Sequence, residues 1–380
     1  MLELLDQELT SQVRQDICQA FHQYSQRLAN SLTSSDGGQV ADCEKMVAAN
    51  PRDSFQVDAQ GMARLTAGRC DFSAGRFACR SLTSLRSAQP KGGRVSLWVL
   101  EGQANVTDIG ALQAIAPPKS LFQVASQFNC LESPGPRLAK VADYFFDPTQ
   151  GPRASISAYP ATLLRHYRAP GPEGTTFVQQ DDGPQLNLLH RVALEGVARV
   201  EGGYLLAHQV TQPATLATLV QEHFDEIEVG VHENVQVVLG ADWGGAVIGK
   251  PHIAQVFTST VAAGGYSRVD LSNDNWLIIL RQIQRAAYLG TLLAAAKLRQ
   301  RRAILTLIGG GVFGNPLPLI WDSILWACRQ VEAHLDGDLT VIVNGRNLSS
   351  GVALEKLREA AQKRGGDLLY CTNRGISFEQ

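Results

Sequence analysis

The segment from Ile304 to Ser323, ILTLIGGGVFGNPLPLIWDS, constrains this chain more than any other. It reads as a short buried strand, a glycine-rich loop, then a helix opened by proline. That order sets bare backbone N–H groups beside the positive end of a helix, where a phosphate can sit. Gly309, Gly310 and Gly311 let the backbone approach an anion with no side chain in the way. Phe313 offers an apolar face, and Asn315 a small polar group just before the helix. The expected ligand is phosphorylated and nucleotide-like.

Composition removes several other classes. The 380 residues suffice for one large domain or two ordinary ones, and the 44% hydrophobic and 18% charged shares are those of a globular protein with ample core. A formal net charge of −2, with no long basic run, argues against recognition of nucleic acid through its phosphates. No apolar run approaches the roughly 20 residues that span a bilayer, so no membrane partner is expected. The start, MLELLDQELT, carries acids where a secretory signal carries positive charge, so cytoplasm is the expected compartment. The seven cysteines stand singly, with no CxxC pair or Cys/His cluster to suggest zinc. Cys70 and Cys79 are close enough in sequence to meet across a hairpin, although buried structural thiols explain them as well. No metal and no cofactor is expected.

Along the chain, apolar positions from Leu5 to Leu28 fall on one helical face. Residues 30–52 read as a linker, and 55–88 as two short strands with a hairpin. Strands are expected at 95–100 and 121–125, with a helix at 106–116 between them. Strand, helix and strand in succession imply a parallel sheet with crossover helices. Residues 147–185, rich in Pro and Gly, promise few regular elements. Further strands are expected at 235–239, 253–257, 303–308 and 339–343, with helices at 275–299 and 317–335.

Three glycine-rich phosphate motifs compete for the loop. The P-loop is excluded, because no GK[ST] follows the glycines. Gly309, Gly311 and Gly314 match the GxGxxG dinucleotide fingerprint, yet the next strand ends at Val343-Asn344 with no ribose-binding acid. A NAD-dependent oxidoreductase therefore fits poorly. The third option is stronger. Gly311-Val312-Phe313-Gly314-Asn315-Pro316, between a strand and a helix, resembles the G-[IV]-[FY]-G-x-P loop of the macrodomain family, which binds ADP-ribose. VFGNP is especially similar to the poly(ADP-ribose) glycohydrolase branch. Leu121 to Glu132, LFQVASQFNCLE, resembles the segment that ends in an Asn on the distal ribose, a role the resemblance gives to Asn129. Asp147-Pro-Thr-Gln-Gly-Pro-Arg153 stands where the first phosphate-facing loop falls. The GGG…QEE run of the glycohydrolases is absent. The stretch His232 to Ser259, HENVQV…GADWGG…AQVFTS, is closer to the MavL-type branch, bacterial effector macrodomains that remove ADP-ribose from arginine of ubiquitin. The resemblance covers roughly residues 95 to 345 and leaves 1–90 unaligned.

It implies an α/β macrodomain-like three-layer α/β/α sandwich with a mixed central sheet, over residues 91–380. Residues 1–90 form an N-terminal helical and hairpin extension. The implied ADP-ribose-binding residues are Asn129, Asp147, Thr149, Gln150, Gly151, Gly309, Gly310, Gly311, Val312, Phe313, Gly314 and Asn315. Cleaving an ADP-ribosyl bond passes through an oxocarbenium-like centre, which calls for a carboxylate near the ribose. Glu233 and Asp242 flank the expected strand 235–239 and are the candidate catalytic acids, with Asp225 third. Each has a plainer reading: Glu233 as a solvated strand-end charge, Asp242 as a turn-former in a glycine-rich loop. Asp147 and Glu132 stand equally between structural and catalytic roles. Arg165 and His166 read as surface residues, and Trp243 and Trp276 as core or as adenine platforms. The expected partner is ADP-ribose or an ADP-ribosylated protein, and the expected activity hydrolysis of the ADP-ribosyl bond. A non-catalytic ADP-ribose reader is the alternative.

Overall fold

The computed structural model describes residues 1–30, 37–86, 92–102, 105–135, 137–240, 247, 250–372 and 375–378. Apolar strands buried on both faces belong to parallel sheets sandwiched between helices, and the longest apolar runs of this sequence occupy that position. The strands are β1 (Phe55–Val57), β2 (Ala63–Leu65), β3 (Phe72–Ser81), β4 (Val95–Glu101), β5 (Ser120–Ala125), β6 (Ala169–Pro170), β7 (Thr176–Phe177), β8 (Glu228–Gln236), β9 (His252–Thr258), β10 (Arg302–Leu305), β11 (Leu339–Asn344), β12 (Leu368–Thr372) and β13 (Gly375–Ser377). The helices are α1 (Ser11–Asn30), α2 (Gly37–Ala49), α3 (Leu82–Leu85), α4 (Ile109–Ala114), α5 (Gln150–Ser157), α6 (Tyr159–Tyr167), α7 (Pro213–Glu222), α8 (Asp274–Lys297), α9 (Leu317–Val331) and α10 (Leu354–Gln362).

Among the described residues, eleven strands form one sheet in the order β1-β2-β3-β8-β9-β5-β10-β11-β4-β12-β13. From β9 to β12 every neighbouring pair runs parallel. Antiparallel strands extend it on both sides, β8 to β1 at one edge and β13 at the other. Helices cover both faces, as two buried glutamines show. Gln123 on β5 reaches across to α8, its Nε2 donating to Thr291 Oγ1 at 3.0 Å. Gln255 on β9 is in register with Phe122, so it points to the opposite face, where its Nε2 donates to Ala154 O of α5 at 3.1 Å. The fold is thus mixed α/β around a large mixed sheet. Residues on both sides of position 90 build that sheet, and Leu2, Leu5, Ile17 and Phe21 pack into the same core as Trp98 and Leu368.

Several expectations from sequence need correction. The supposed linker at 30–52 contains α2, whose Val40, Cys43 and Val47 are buried. Residues 55–88 hold three strands, and β3 pairs with β8 across some 150 residues of chain. The strand expected at 235–239 is β8, which begins at Glu228 and ends at Gln236. Residues 147–185 carry α5 and α6, where Pro152 and Pro160 lie near helix starts that tolerate a missing N–H. Cys70 lies 3.6 Å from Tyr159 Oη, and all seven cysteines are free. Trp276 is buried in the core, while Asp242 and Trp243 lie outside the described residues. Among the described residues, no helix is long and apolar enough to cross a membrane.

Candidate active site

Open parallel sheets bind ligands at the carboxyl ends of their strands. Here a cleft of about 350 Å³ lies across those ends. It is lined by Ala125, Ser126 and Gln127 after β5, Thr260 after β9, Thr306 to Phe313 after β10, and Arg346 after β11. The start of α5, from Thr149 to Pro152, forms another wall.

The glycine loop leaves β10 after Leu305 and is fastened from beneath. Tyr288 of α8 donates to Thr306 O at 2.9 Å, and its hydroxyl accepts from Ile308 N at 3.0 Å. Gly309 and Gly314 take φ of +76° and +64°, a region that other residues enter at a cost. Among the described residues, the N–H groups of Gly311, Val312 and Phe313 meet no backbone acceptor. Gly311 has nothing within 4 Å of where a Cβ would sit, so the loop is open there.

Asn315 points away from the cleft and holds the loop to its neighbour. Its Oδ1 accepts from Ala263 N at 3.2 Å, and its Nδ2 donates to Thr260 Oγ1 at 3.3 Å. Replacing Asn315 by Ala removes both contacts, while Ala263 N keeps the Phe313 carbonyl at 2.8 Å, so thermal unfolding should register a loss of about 1 kcal/mol. The glycines of the adjoining turn allow this contact: a Cβ on Gly265 would lie 1.8 Å from Val312 O. That turn delivers Tyr266 to an aromatic group with Tyr204 and Phe313, ring centroids 5.3 to 5.8 Å apart.

Opposite the loop, Asp147 Oδ1 accepts from both the N–H and the hydroxyl of Thr149, at 2.9 and 2.6 Å. This turn starts α5 and aims its N-terminal end at the cleft. Gly151 then passes so close to β5 that a Cβ there would lie 2.1 Å from Ala125 O and 2.6 Å from Glu132 Oε2.

Glu132 is the buried acid among the residues lining the cleft. It is 5% exposed, and its Oε1 has no hydrogen-bond partner. Burial pushes its carboxyl well above the ordinary carboxylate range, with Arg165 opposing and Asp147 adding to the rise. The loop that carries it is held firmly. Gln127 bridges to Ser133 through both ends of its amide, Oε1 accepting at 2.9 Å and Nε2 donating at 3.2 Å. Glu132 N donates to Tyr144 Oη at 2.8 Å, and that hydroxyl lies 2.9 Å from His166 Nε2. Arg165 Nε donates to the carbonyl of Cys130, which sits at φ +63°. The same guanidinium packs 3.6 Å from the Phe257 ring centroid and 3.2 Å from His232 Nδ1. Since arginine only donates, His232 Nδ1 is the acceptor and its Nε2 donates to Ala74 O at 2.6 Å. Burial lowers the pKa of Arg165 to about 10 and of His166 to about 3. Both residues are interior supports of the Glu132 loop, a correction to their reading as surface residues.

Of the residues expected to bind, Asp147, Thr149, Gln150, Gly151 and Gly309 to Phe313 gather around the cleft. Gly314 and Asn315 shape the loop from behind. Asn129 is buried away from the cleft; its Oδ1 accepts from Leu131 N at 3.0 Å and its Nδ2 donates to Gln185 at 2.9 Å. It turns the chain toward Glu132. Glu233 lies on β8 next to a bulge and pairs with Arg76 at 2.8 Å, outside the cleft. Asp225 pairs with Arg86 at 2.7 Å, also outside it. Tyr204, Tyr266 and Arg346 were not singled out from sequence, because nothing local marks them; only the folded loops bring them to the cleft. Among the described residues, no group of His, Cys, Asp and Glu could hold a metal ion.

No protein-family model matches the chain, and no curated protein matches it. Among solved structures, the poly(ADP-ribose) glycohydrolase of Thermomonospora curvata is similar at a TM-score of 0.43 and 13% identity, covering 86% of this chain and 99% of that one. The enzyme of Deinococcus radiodurans in complex with ADP-ribose is similar at 0.40 and 12%, covering 76% and 94%.

Proposed function

We propose that the cleft binds ADP-ribose and that the chain hydrolyses an ADP-ribosyl bond on a protein side chain. The observation that carries this reading is the pairing, in one cleft, of a backbone phosphate cradle with a carboxyl whose pKa burial raises. The cradle consists of the Gly311 to Phe313 N–H groups and the start of α5. Such amides suit a diphosphate, because they donate without the desolvation cost of a long charged side chain.

Glu132 then serves as the general acid. A carboxyl whose pKa is raised by burial can protonate the departing atom as the anomeric bond breaks. Water then adds to the anomeric carbon and returns a proton to the Glu132 carboxylate, which restores the acid. This reading moves the acid from Glu233 and Asp242 to Glu132, whose carboxyl lines the same cleft as the glycine loop. The Tyr204, Tyr266 and Phe313 rings line the same cleft and offer the ligand an aromatic surface.

The test is release of free ADP-ribose from proteins modified on arginine, and separately on acidic and serine side chains. The hydrolase reading expects turnover of one of these classes. Tight ADP-ribose binding with no release from any of them would leave only the reader.

A further inference from the structure

We infer that Arg346 supplies the cation for the diphosphate of the bound ligand, and so makes the cleft selective for charged over uncharged nucleosides. The inference rests on the ADP-ribose reading of the cleft. Strand order places the pieces. Glu132 lies in the loop after β5, the glycine loop follows its neighbour β10, and the next strand, β11, ends just before Arg346. Glu132 and Arg346 therefore flank the glycine loop in one cleft, so phosphates seated over that loop lie on the Arg346 side of a ribosyl bond at Glu132.

Charge makes the assignment specific. Among the described residues lining the cleft, Glu132 and Asp147 are acids and Arg346 is the only cation. A doubly charged diphosphate entering beside Asp147 meets repulsion unless a cation offsets it. Arg346 is partly buried at the cleft wall, and among the described residues no acceptor is placed within hydrogen-bond or ion-pair distance of its guanidinium. Asp108, the acid that acts on it, is already the N-cap of α4 and the partner of Arg153, whose own charge opposes it. An unpaired guanidinium fork beside a backbone amide cradle matches two phosphate oxygens.

Calorimetry on wild type, Arg346→Met and Arg346→Lys, with ADP-ribose, adenosine and inorganic pyrophosphate at two salt concentrations, tests this. Circular dichroism checks that the variants fold. The expected result is a loss of about 10- to 100-fold in ADP-ribose affinity for Arg346→Met. Its salt dependence should weaken, and Arg346→Lys should keep part of both. Adenosine affinity should not change. Equal losses for adenosine and ADP-ribose would overturn the assignment by showing that Arg346 reads the base, and unchanged ADP-ribose affinity would overturn it outright. Wild type that binds pyrophosphate but not ADP-ribose would refute the ADP-ribose reading alone. Arg346 would then stand or fall on whether Arg346→Met loses the pyrophosphate. Wild type that binds neither would refute both.

Discussion

Glu132→Gln should abolish hydrolysis and, at the same time, make the protein more stable at pH 8. The first effect follows from removing the proton donor, a loss of about 10²- to 10⁴-fold in turnover. ADP-ribose binding should survive, because the amide has the shape of the neutral carboxyl and adds no charge. The second effect follows from linkage. Burial raises the folded-state pKa of Glu132 above its unfolded value. Below the unfolded pKa both states hold the proton, and the carboxyl takes nothing from stability. As pH rises, the unfolded chain ionises first, so stability falls by up to about 1.4 kcal/mol per pH unit until the folded pKa is reached. Glutamine does not titrate. The variant should therefore be more stable than wild type at pH 8 and gain almost nothing near pH 4. Urea denaturation at the two pH values reads this directly. Equal stability at both would show that Glu132 ionises freely in the folded protein, and would remove it as the acid.

Gly151→Ala should be the most damaging small substitution in the cleft. Its Cβ would meet Ala125 O at 2.1 Å, a backbone atom in the middle of the sheet that cannot turn aside. The start of α5 must then retreat from β5, at a cost of about 2–4 kcal/mol. The Glu132 carboxyl, 2.6 Å from the same point, must move as well, so activity should fall further than stability alone explains. Gly311→Ala is the matched control. With nothing within 4 Å of its Cβ, it should change stability by less than about 0.5 kcal/mol. A comparison of the two by thermal unfolding separates a glycine needed for close packing from one needed for an open cradle.

The contrast between these glycines also marks what sequence could convey. The strands at 95–101, 120–125 and 339–344 were legible because parallel strands buried on both faces are continuous apolar runs. The glycine loop was legible because strand, glycines and proline-led helix follow one another within twenty residues. The beginnings of α5 and α6 were hidden by Gly151, Pro152 and Pro160, which read as loop chemistry when the tertiary contact that requires them is unseen. Glu132 could not be ranked above Glu233, since both are single acids beside a strand. What separates them is burial: Tyr144 and Arg165 enclose the loop bearing one, while Arg76 neutralises the other across a β-ladder. Those partners lie from 12 to 157 residues away in sequence. Arg346 escaped notice for the same reason, as β11 neighbours β10 only in the folded sheet.

The central claim is that the glycine loop cradles the diphosphate of ADP-ribose, and calorimetry on wild type and Gly311→Glu tests it most directly. Because the position is open, the glutamate should fold in place, obstruct the cradle and repel the phosphates. Wild type should bind ADP-ribose more tightly than NAD or AMP, and the variant should lose that binding while melting within a few degrees of wild type. Wild type that ignores ADP-ribose, or a folded Gly311→Glu protein that binds it as well as wild type, would contradict the claim.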